Sequence, residues 1–261
     1  MDAWKIVLLG ILQGIAEFLP ISSDGHLVIM EELLGGIPES AALNIALHVG
    51  TLGSILVVYR QRILKLLQQP RILWMIVLAT LPLVVVGVPL KFLFKWLEES
   101  SFNALAAGFG LLVTSALMFR SQRIKTGDFS LENITPQMAI LIGSLQAVAA
   151  APGISRSGCT IFMGLMLGLS RTAAADFSFL IAIPAIMGAT VLYSKDILKS
   201  GETGTAPELL AAGAVISFVV GVFALSWLLR VVVTGSLDKF AWYCLFLGIV
   251  CITWQSIHLW G

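Results

Sequence analysis

QGIAEFLPISSDGHL, residues 13–27, lies in a strongly apolar region and yet carries Gln13, Glu17, Ser22, Ser23, Asp24 and His26. Polar groups kept in an apolar setting of this kind are costly and mark function. Gln13 and Glu17 are four residues apart, so a helix puts them on one face. Pro20 ends that helix, because it has no N–H and pushes its predecessor out of the α region. Ser22, Ser23 and Asp24 follow as turn and N-cap residues, and His26 falls in the first turn of the next helix. The stretch therefore reads as helix, break, helix, with polar side chains and free backbone N–H groups gathered at the break.

The pattern occurs twice. QAVAAAPGISRSGCT, residues 146–160, aligns with the first copy at an offset of 133, which pairs Gln13 with Gln146, Ala16 with Ala149, Ile21 with Ile154, Ser22 with Ser155 and Gly25 with Gly158. The second break is Pro152-Gly153, followed by Ser155 and Ser157 on either side of Arg156. Two broken apolar segments at matching places in two halves point to a binding site at the interface between repeats. One copy offers a carboxylate, hydroxyls and an imidazole; the other offers a guanidinium and hydroxyls. That set suits a phosphate ester: arginine binds phosphate bidentately, helix N-termini favour anions, and histidine or serine can supply chemistry.

Composition sets the class. Of 261 residues, 58% are hydrophobic and 12% charged, against about 25% charged in soluble domains, and the mean hydropathy is +0.95. This is an all-α polytopic membrane protein. The net charge of +1 suggests no nucleic-acid surface. Cys159, Cys244 and Cys251 have neither metal nor disulfide spacing and read as core residues. The N-terminal stretch lacks a basic n-region and a cleavage site, so it is expected to belong to the mature protein.

A spanning helix needs about 20 apolar residues. Residues 4–19 and 22–35 are each too short and read as one re-entrant hairpin (4–35); residues 136–150 and 156–169 read as a second (136–169). Spans are expected at about 41–59, 72–91, 102–119, 174–194, 207–229 and 239–259. The chain is thus one membrane domain (1–261) with six transmembrane helices and two hairpins. Repeat one covers about 1–120 and repeat two about 136–261. Three spans separate the hairpins, so they enter from opposite faces and the repeats are inverted. One face carries Arg60, Arg62, Lys65, Arg71, Arg120, Arg123, Lys125, Arg171, Arg230 and Lys239, and the other Lys5, Lys91, Lys95, Lys195 and Lys199. Ten against five puts the first face in the cytoplasm and opens the first hairpin to the outside.

Each polar residue has a structural reading beside its functional one. Glu17 is a metal ligand or general base, or a hydrogen-bonded structural carboxyl. Gln13 supports a metal, positions water, or bonds between helices. Asp24 reads as a turn residue or N-cap. Arg156, inside a break at membrane depth, needs an anion: Glu17 in the empty site, or substrate phosphate. Ser155, Ser157 and Thr160 surround it, although Thr160 can also bond back to its own helix. Gly153 and Gly158 permit close backbone approach. Asn44 and His48 share a face of the third helix, where an interhelical hydrogen bond accounts for them and a place in the site is the alternative. Asp176 and Ser178 read as helix N-terminal residues, and Pro82 and Pro184 as kinks.

Gln13-Gly14-Ile15-Ala16-Glu17, Ser22-Ser23-Asp24-Gly25-His26 and the run Pro152-Gly153-Ile154-Ser155-Arg156-Ser157-Gly158-Cys159-Thr160 carry a resemblance. Together they resemble the bacterial undecaprenyl-diphosphate phosphatases of the BacA type, over the whole chain in length and hydropathy. The resemblance implies a bacterial inner-membrane hydrolase that removes the terminal phosphate of undecaprenyl diphosphate, recycles the lipid carrier of cell-wall synthesis and confers bacitracin resistance. It implies a divalent cation, Mg²⁺ or Ca²⁺. It makes Glu17, Ser23, His26 and Arg156 catalytic, and assigns phosphate binding to Ser22, Gly153, Ser155, Arg156, Ser157 and Thr160. Metal binding falls to Glu17 with Gln13, which stands where many members have Glu, and with Asp24, which stands where Thr or Ser is frequent. Ser23, water or His26 could be the nucleophile. The partners expected are a polyprenyl diphosphate and membrane lipid, with a homodimer left open. The rival class is a polyprenyl-phosphate flippase using the same pocket.

Overall fold

The computed structural model describes residues 2–34, 41–90, 93–94, 100, 102–200 and 205–260, the side chains at 41, 193, 195–200 and 260 excepted. The expected end of the first hairpin at residue 35, and Lys91 and Lys95, lie outside them, as do the side chains of Lys195 and Lys199. In chain order the α-helices are α1 (Ala3–Ala16), α2 (Ser23–Leu33), α3 (Ala41–Val58), α4 (Arg60–Leu66), α5 (Pro70–Pro82), α6 (Asn103–Arg123), α7 (Pro136–Val148), α8 (Arg156–Met166), α9 (Arg171–Ser200), α10 (Pro207–Thr234) and α11 (Asp238–Trp260). α5 runs on through a π-helical turn, Leu83–Gly87, directly after Pro82. Proline removes one rung of the helix ladder, and the extra residue per turn absorbs the fault. Pro184, by contrast, lies within the unbroken α9.

Among the described residues five helices are long and apolar enough to cross a bilayer: Pro70–Leu90, Asn103–Arg123, Arg171–Leu192, Pro207–Thr234 and Asp238–Leu259. The sixth expected span, α3, qualifies only together with α4, from which it bends by 74°. The short apolar helices α1 and α7 are the first arms of the two hairpins.

Both hairpins return to where they begin. Near the start of α1, Lys5 Nζ donates to the carbonyl of Leu34 just beyond α2 (3.1 Å). Before α7 and after α8, Phe129 N donates to Gly168 O (3.2 Å) and Ser170 N to Phe129 O (2.9 Å). The second mouth belongs to an end of the bundle rich in Arg and Lys. There Arg171 Nε donates to Thr126 (3.1 Å), Leu237 N to Gln122 (3.2 Å), and Arg71 to the carbonyls of Glu132 and Ile134. Arg62 of α4 pairs with the buried Asp176 of α9 at this same end, and Tyr59 also donates to that carboxylate (3.1 Å). So Asp176 is an ion-pair anchor rather than a helix N-terminal residue. A cavity of about 410 Å³ opens here among Arg62, Thr172, Asp176 and Arg230, away from every candidate site residue. The first mouth lies at the other end, where Ile6 and Leu9 pack with Leu43 and Leu47 of early α3.

The first half of α9 is the centre of the core. Ala173 to Ala182 are buried on every side, as expected of a helix with no lipid face. Phe179 packs edge-on to Phe18 at 6.0 Å and against Tyr59 at 6.1 Å. The apolar residues Val215, Val219 and Phe223 of α10 and Trp242, Phe246 and Ile249 of α11 are exposed and face lipid. In lipid the hydrophobic effect does not bring helices together, so close contacts fall on small residues. The 133-residue offset also pairs Gly10 with Gly143. A Cβ at Gly10 would stand 3.2 Å from Gly213 O of α10, and one at Gly143 only 2.1 Å from Ala79 O of α5. α6 and α11 pair antiparallel, with Gly108 beside Gly248 and Ser115 Oγ donating to Ala241 O at 2.8 Å.

The two breaks meet. A Cβ on Gly25 would fall 2.8 Å from the Cα of Gly153, and one on Gly110 of α6 would fall 2.0 Å from Pro152 O. Gly153 has φ +79°, and an added Cβ would lie 2.0 Å from Ala107 O. Left-handed geometry costs other residues about 1–2 kcal/mol, and a backbone clash adds to that. Gly153→Ala should therefore lower the thermal midpoint of the detergent-solubilised protein by several degrees. Gly188→Ala, with no heavy atom within 4 Å, should leave it unchanged or raise it. Equal midpoints for the two variants would contradict this packing.

Candidate active site

The site forms where α1 ends, where α2 and α8 begin, and where α3 passes. Glu17 follows α1, and its side chain is 5% exposed. It accepts three hydrogen bonds: Gln13 Nε2 (3.0 Å) and Ser23 Oγ (2.8 Å) on Oε2, and Arg156 Nη2 (2.9 Å) on Oε1. Three donors, one of them a guanidinium, are what a carboxylate needs in order to stay ionised in an apolar bundle. Arg156 is the first residue of α8, and its side chain is 17% exposed. Its Nη1 points at Ser178 O (3.5 Å). One ion pair thus joins break one to break two across 139 residues of chain.

Local capping fixes both helix starts. Ser22 accepts from Gly25 N (3.3 Å) and holds φ 70°, ψ 100°, the one non-glycine positive φ among the described residues. Such a conformation costs of order 1–3 kcal/mol and persists only where neighbours enforce it; here His26 N and Nδ1 both bond the Ser22 carbonyl, at 3.2 and 2.7 Å. Ser155 likewise accepts from Gly158 N (3.1 Å). Thr114 of α6 ties down the second break, accepting from Ser155 N (2.9 Å) and donating to Gly153 O (3.0 Å).

The candidate residues are not all placed alike. Glu17, Ser23 and Arg156 form one hydrogen-bonded cluster, with Gln13 behind it. Asp24 is beside it, its side chain 59% exposed. Ser157 turns inward to Leu19 O (3.3 Å) and to Ser155 (3.2 Å). Thr160 bonds back to Arg156 O (3.0 Å) and to Ser178 Oγ (2.6 Å). Gly153 is enclosed by backbone. His26 is not hydrogen-bonded to Ser23; its Nε2 lies 2.7 Å from the hydroxyl of Tyr243 on α11.

The imidazole that faces the cluster is His48. Its Nδ1 bonds Asn44 O (2.8 Å) within α3, and its Nε2 stands 3.7 Å from Glu17 Oε2 and 3.9 Å from Asp24 Oδ1. For His48 the structure favours the site alternative over the interhelical hydrogen bond, and Tyr243 and Thr114 are additions that the sequence does not point to. A histidine inside an apolar helix was the available signal for His48; a tyrosine on a lipid-facing aromatic helix gave none.

Among the described residues no group of three His, Cys, Asp or Glu is arranged to hold a metal. The oxygen donors present are nonetheless those a hard cation takes: Glu17, the exposed Asp24, and Gln13 Oε1, which is buried without a hydrogen-bond partner. A Mg²⁺-like ion bound by one or two carboxylates keeps its remaining positions for water and phosphate oxygens, and this donor set fits that mode.

Known proteins resemble the chain over nearly its whole length. The family described as "Bacitracin resistance protein BacA" matches residues 6–250. An undecaprenyl-diphosphatase of Rhodopirellula baltica is 46% identical over 95% of this chain and 96% of its own length. Proteins of the same name from Alkaliphilus metalliredigens and Methanobrevibacter smithii are 37% and 35% identical over 98% and 99% of the chain, and over the full length of each relative. With PGISRS and the QxxxE…SSxxH stretch meeting at one ion pair, the chain belongs to the bacitracin resistance protein BacA family.

Proposed function

We propose that this protein is an integral-membrane phosphatase that hydrolyses undecaprenyl diphosphate to undecaprenyl phosphate and inorganic phosphate. The observation that carries the reading is the cluster in which Glu17 holds both the Ser23 hydroxyl and the Arg156 guanidinium. Binding an anion needs the arginine; it does not need a serine hydroxyl resting on a carboxylate. The relatives carry the name of an enzyme, which weighs against the flippase reading.

The chemistry follows from the geometry. Phosphoryl transfer depends mainly on positioning and on neutralising charge. The diphosphate competes with Glu17 for Arg156, and the N-termini of α2 and α8, both at the breaks, favour its negative charge. Ser23 Oγ attacks the terminal phosphorus as its proton passes to Glu17 Oε2, 2.8 Å away. The bond from phosphorus to the bridging oxygen breaks, and undecaprenyl phosphate leaves with that electron pair. Water then cleaves the phosphoserine, releasing phosphate and restoring the hydroxyl. Glu17, Asp24 and Gln13 would hold a divalent cation, Mg²⁺ or Ca²⁺, which when bound neutralises phosphate charge.

In the bilayer the chain is read as two inverted repeats, about 1–120 and 136–261, in the bacterial inner membrane. The Arg/Lys-rich end is cytoplasmic. The first hairpin and the pocket then open outward, where the carrier diphosphate is released, and the prenyl chain stays in lipid. A homodimer is compatible with this arrangement.

Phosphate release from a prenyl diphosphate in detergent tests the reading. Wild type should be active, inhibited by EDTA and restored by Mg²⁺ or Ca²⁺; Glu17→Ala, Ser23→Ala and Arg156→Ala should each lose at least about 100-fold in kcat. Undiminished Arg156→Ala, or folded wild type that binds the lipid and releases nothing, would reject it. If Ser23→Ala keeps full activity, attack by water replaces attack by serine. Orientation has its own check in a cysteine-free background: Phe102→Cys should react with an impermeant thiol reagent in intact cells, and Lys125→Cys only after permeabilisation. The reverse pattern would invert the topology.

A further inference from the structure

His26 is 6% exposed, and both of its ring nitrogens are engaged. Nδ1 lies 2.7 Å from the carbonyl oxygen of Ser22. A carbonyl oxygen only accepts, so Nδ1 carries a hydrogen. In the neutral ring Nε2 is then an acceptor. The group 2.7 Å from it is the hydroxyl of Tyr243, which therefore donates. The two rings also lie nearly parallel, 5.5 Å between centroids and 9° between planes. Next to Tyr243, Cys244 Sγ approaches Pro20 O at 3.8 Å, so this part of α11 is the wall on which the first break rests. Tyr243 is itself 44% exposed, between the lipid-facing Trp242 and Phe246.

We propose that Tyr243 is a positioning residue of this site: its hydroxyl and ring hold His26 in the Nδ1–H tautomer and keep Nε2 occupied until substrate takes the place of the phenol. A buried Nε2 with no donor would carry the full cost of an unmet hydrogen bond in the empty site. A phosphate P–OH or a bound water can donate to Nε2 in the same way, so the exchange leaves no unpaired group. Because Tyr243 borders lipid, a prenyl diphosphate arriving from the bilayer meets this contact at the edge of the site. The tautomer stands on geometry alone; only its consequence for turnover rests on the phosphatase reading.

The test uses full-length protein labelled with ¹⁵N-histidine, in which only His26, His48 and His258 report, with His26 assigned by His26→Asn. Wild type should show His26 with protonated Nδ1 and an unprotonated, hydrogen-bonded Nε2. Tyr243→Phe keeps the ring and loses the donor, so the Nε2 resonance should move to that of a free acceptor or the Nε2–H tautomer should appear. His48 and His258 signals should stay in place. An Nε2–H tautomer in wild type, or an unchanged His26 spectrum in Tyr243→Phe, overturns the proposal. In the phosphate-release assay Tyr243→Phe removes a contact that the empty site makes and the bound site does not, so KM should fall about fivefold with kcat within twofold. A Tyr243→Phe enzyme with wild-type KM would remove the positioning role even if the tautomer is as described. A wild type inactive on prenyl diphosphates would sink the phosphatase reading and leave the spectra to decide the tautomer.

Discussion

The contact between Glu17 Oε1 and Arg156 Nη2, 2.9 Å long, is the constraint around which the rest is built. Each partner alone would be a charge stranded within an apolar bundle. Together, and with Gln13 and Ser23 on the other carboxylate oxygen, they make a neutral hydrogen-bonded unit that the bundle tolerates. The unit exists only if the first break and the second come within side-chain reach. Every feature that brings them together, from the glycines on α6 to the caps on α2 and α8, serves that contact. The same pair also defines what can displace it: an anion able to take over the guanidinium while the carboxylate keeps the serine.

Broken helices at membrane depth expose backbone groups that lipid cannot satisfy. The chain meets that demand with side chains drawn from other helices. Thr114 both donates to Gly153 O and accepts from Ser155 N. Between unbroken helices the same device recurs: Ser54 reaches Phe218 O, Ser115 reaches Ala241 O, and Ser217 reaches Leu47 O. Small hydroxyls near the centre of long spans are thus the means by which close-packed helices hold two hairpins in register. Gly110 and Gly153 do the complementary job by letting backbone meet backbone, at distances where any Cβ would collide.

The hairpins, their breaks and the pairing of an acid with an arginine were legible in the sequence because each is written in residues that are expensive in lipid: Pro20, Glu17, Pro152, Arg156. The spans followed from hydropathy, apart from the 74° bend after α3, which comes at Tyr59, with no proline or glycine to announce it. The roles of Asp176, His48 and Tyr243 were not legible. Asp176 looked like a helix-start residue because its partner, Arg62, lies more than a hundred positions away on a helix that turns back only at that bend. His48 needed the crossing of α3 over the first break, and Tyr243 needed the docking of α11. Periodicity along one helix carries neither. Local costs are visible in a sequence; the partners that offset them across helices are not.

A chain built from two similar halves still makes an asymmetric site. Both halves supply a glutamine, a break, a capping serine and a helix start, and these common parts are backbone machinery. The differences fall at the breaks themselves. At the offset of 133, Ala150 stands opposite Glu17, Cys159 opposite His26, and Ser23 opposite Arg156. One half has kept the acid, the imidazole and the hydroxyl, and the other the cation. A symmetric pair of acids would repel at this distance, and a symmetric pair of arginines would have no internal counter-ion. Opposite charges on the two breaks let the hairpins attract each other in the empty protein and still offer separate donors and acceptors to a ligand lying between them. The second mouth lies among the basic loops, while Glu17 and Ser23 belong to the hairpin whose mouth lies at the other end of the bundle. The division of charge between the halves thereby makes the two ends of the site unlike.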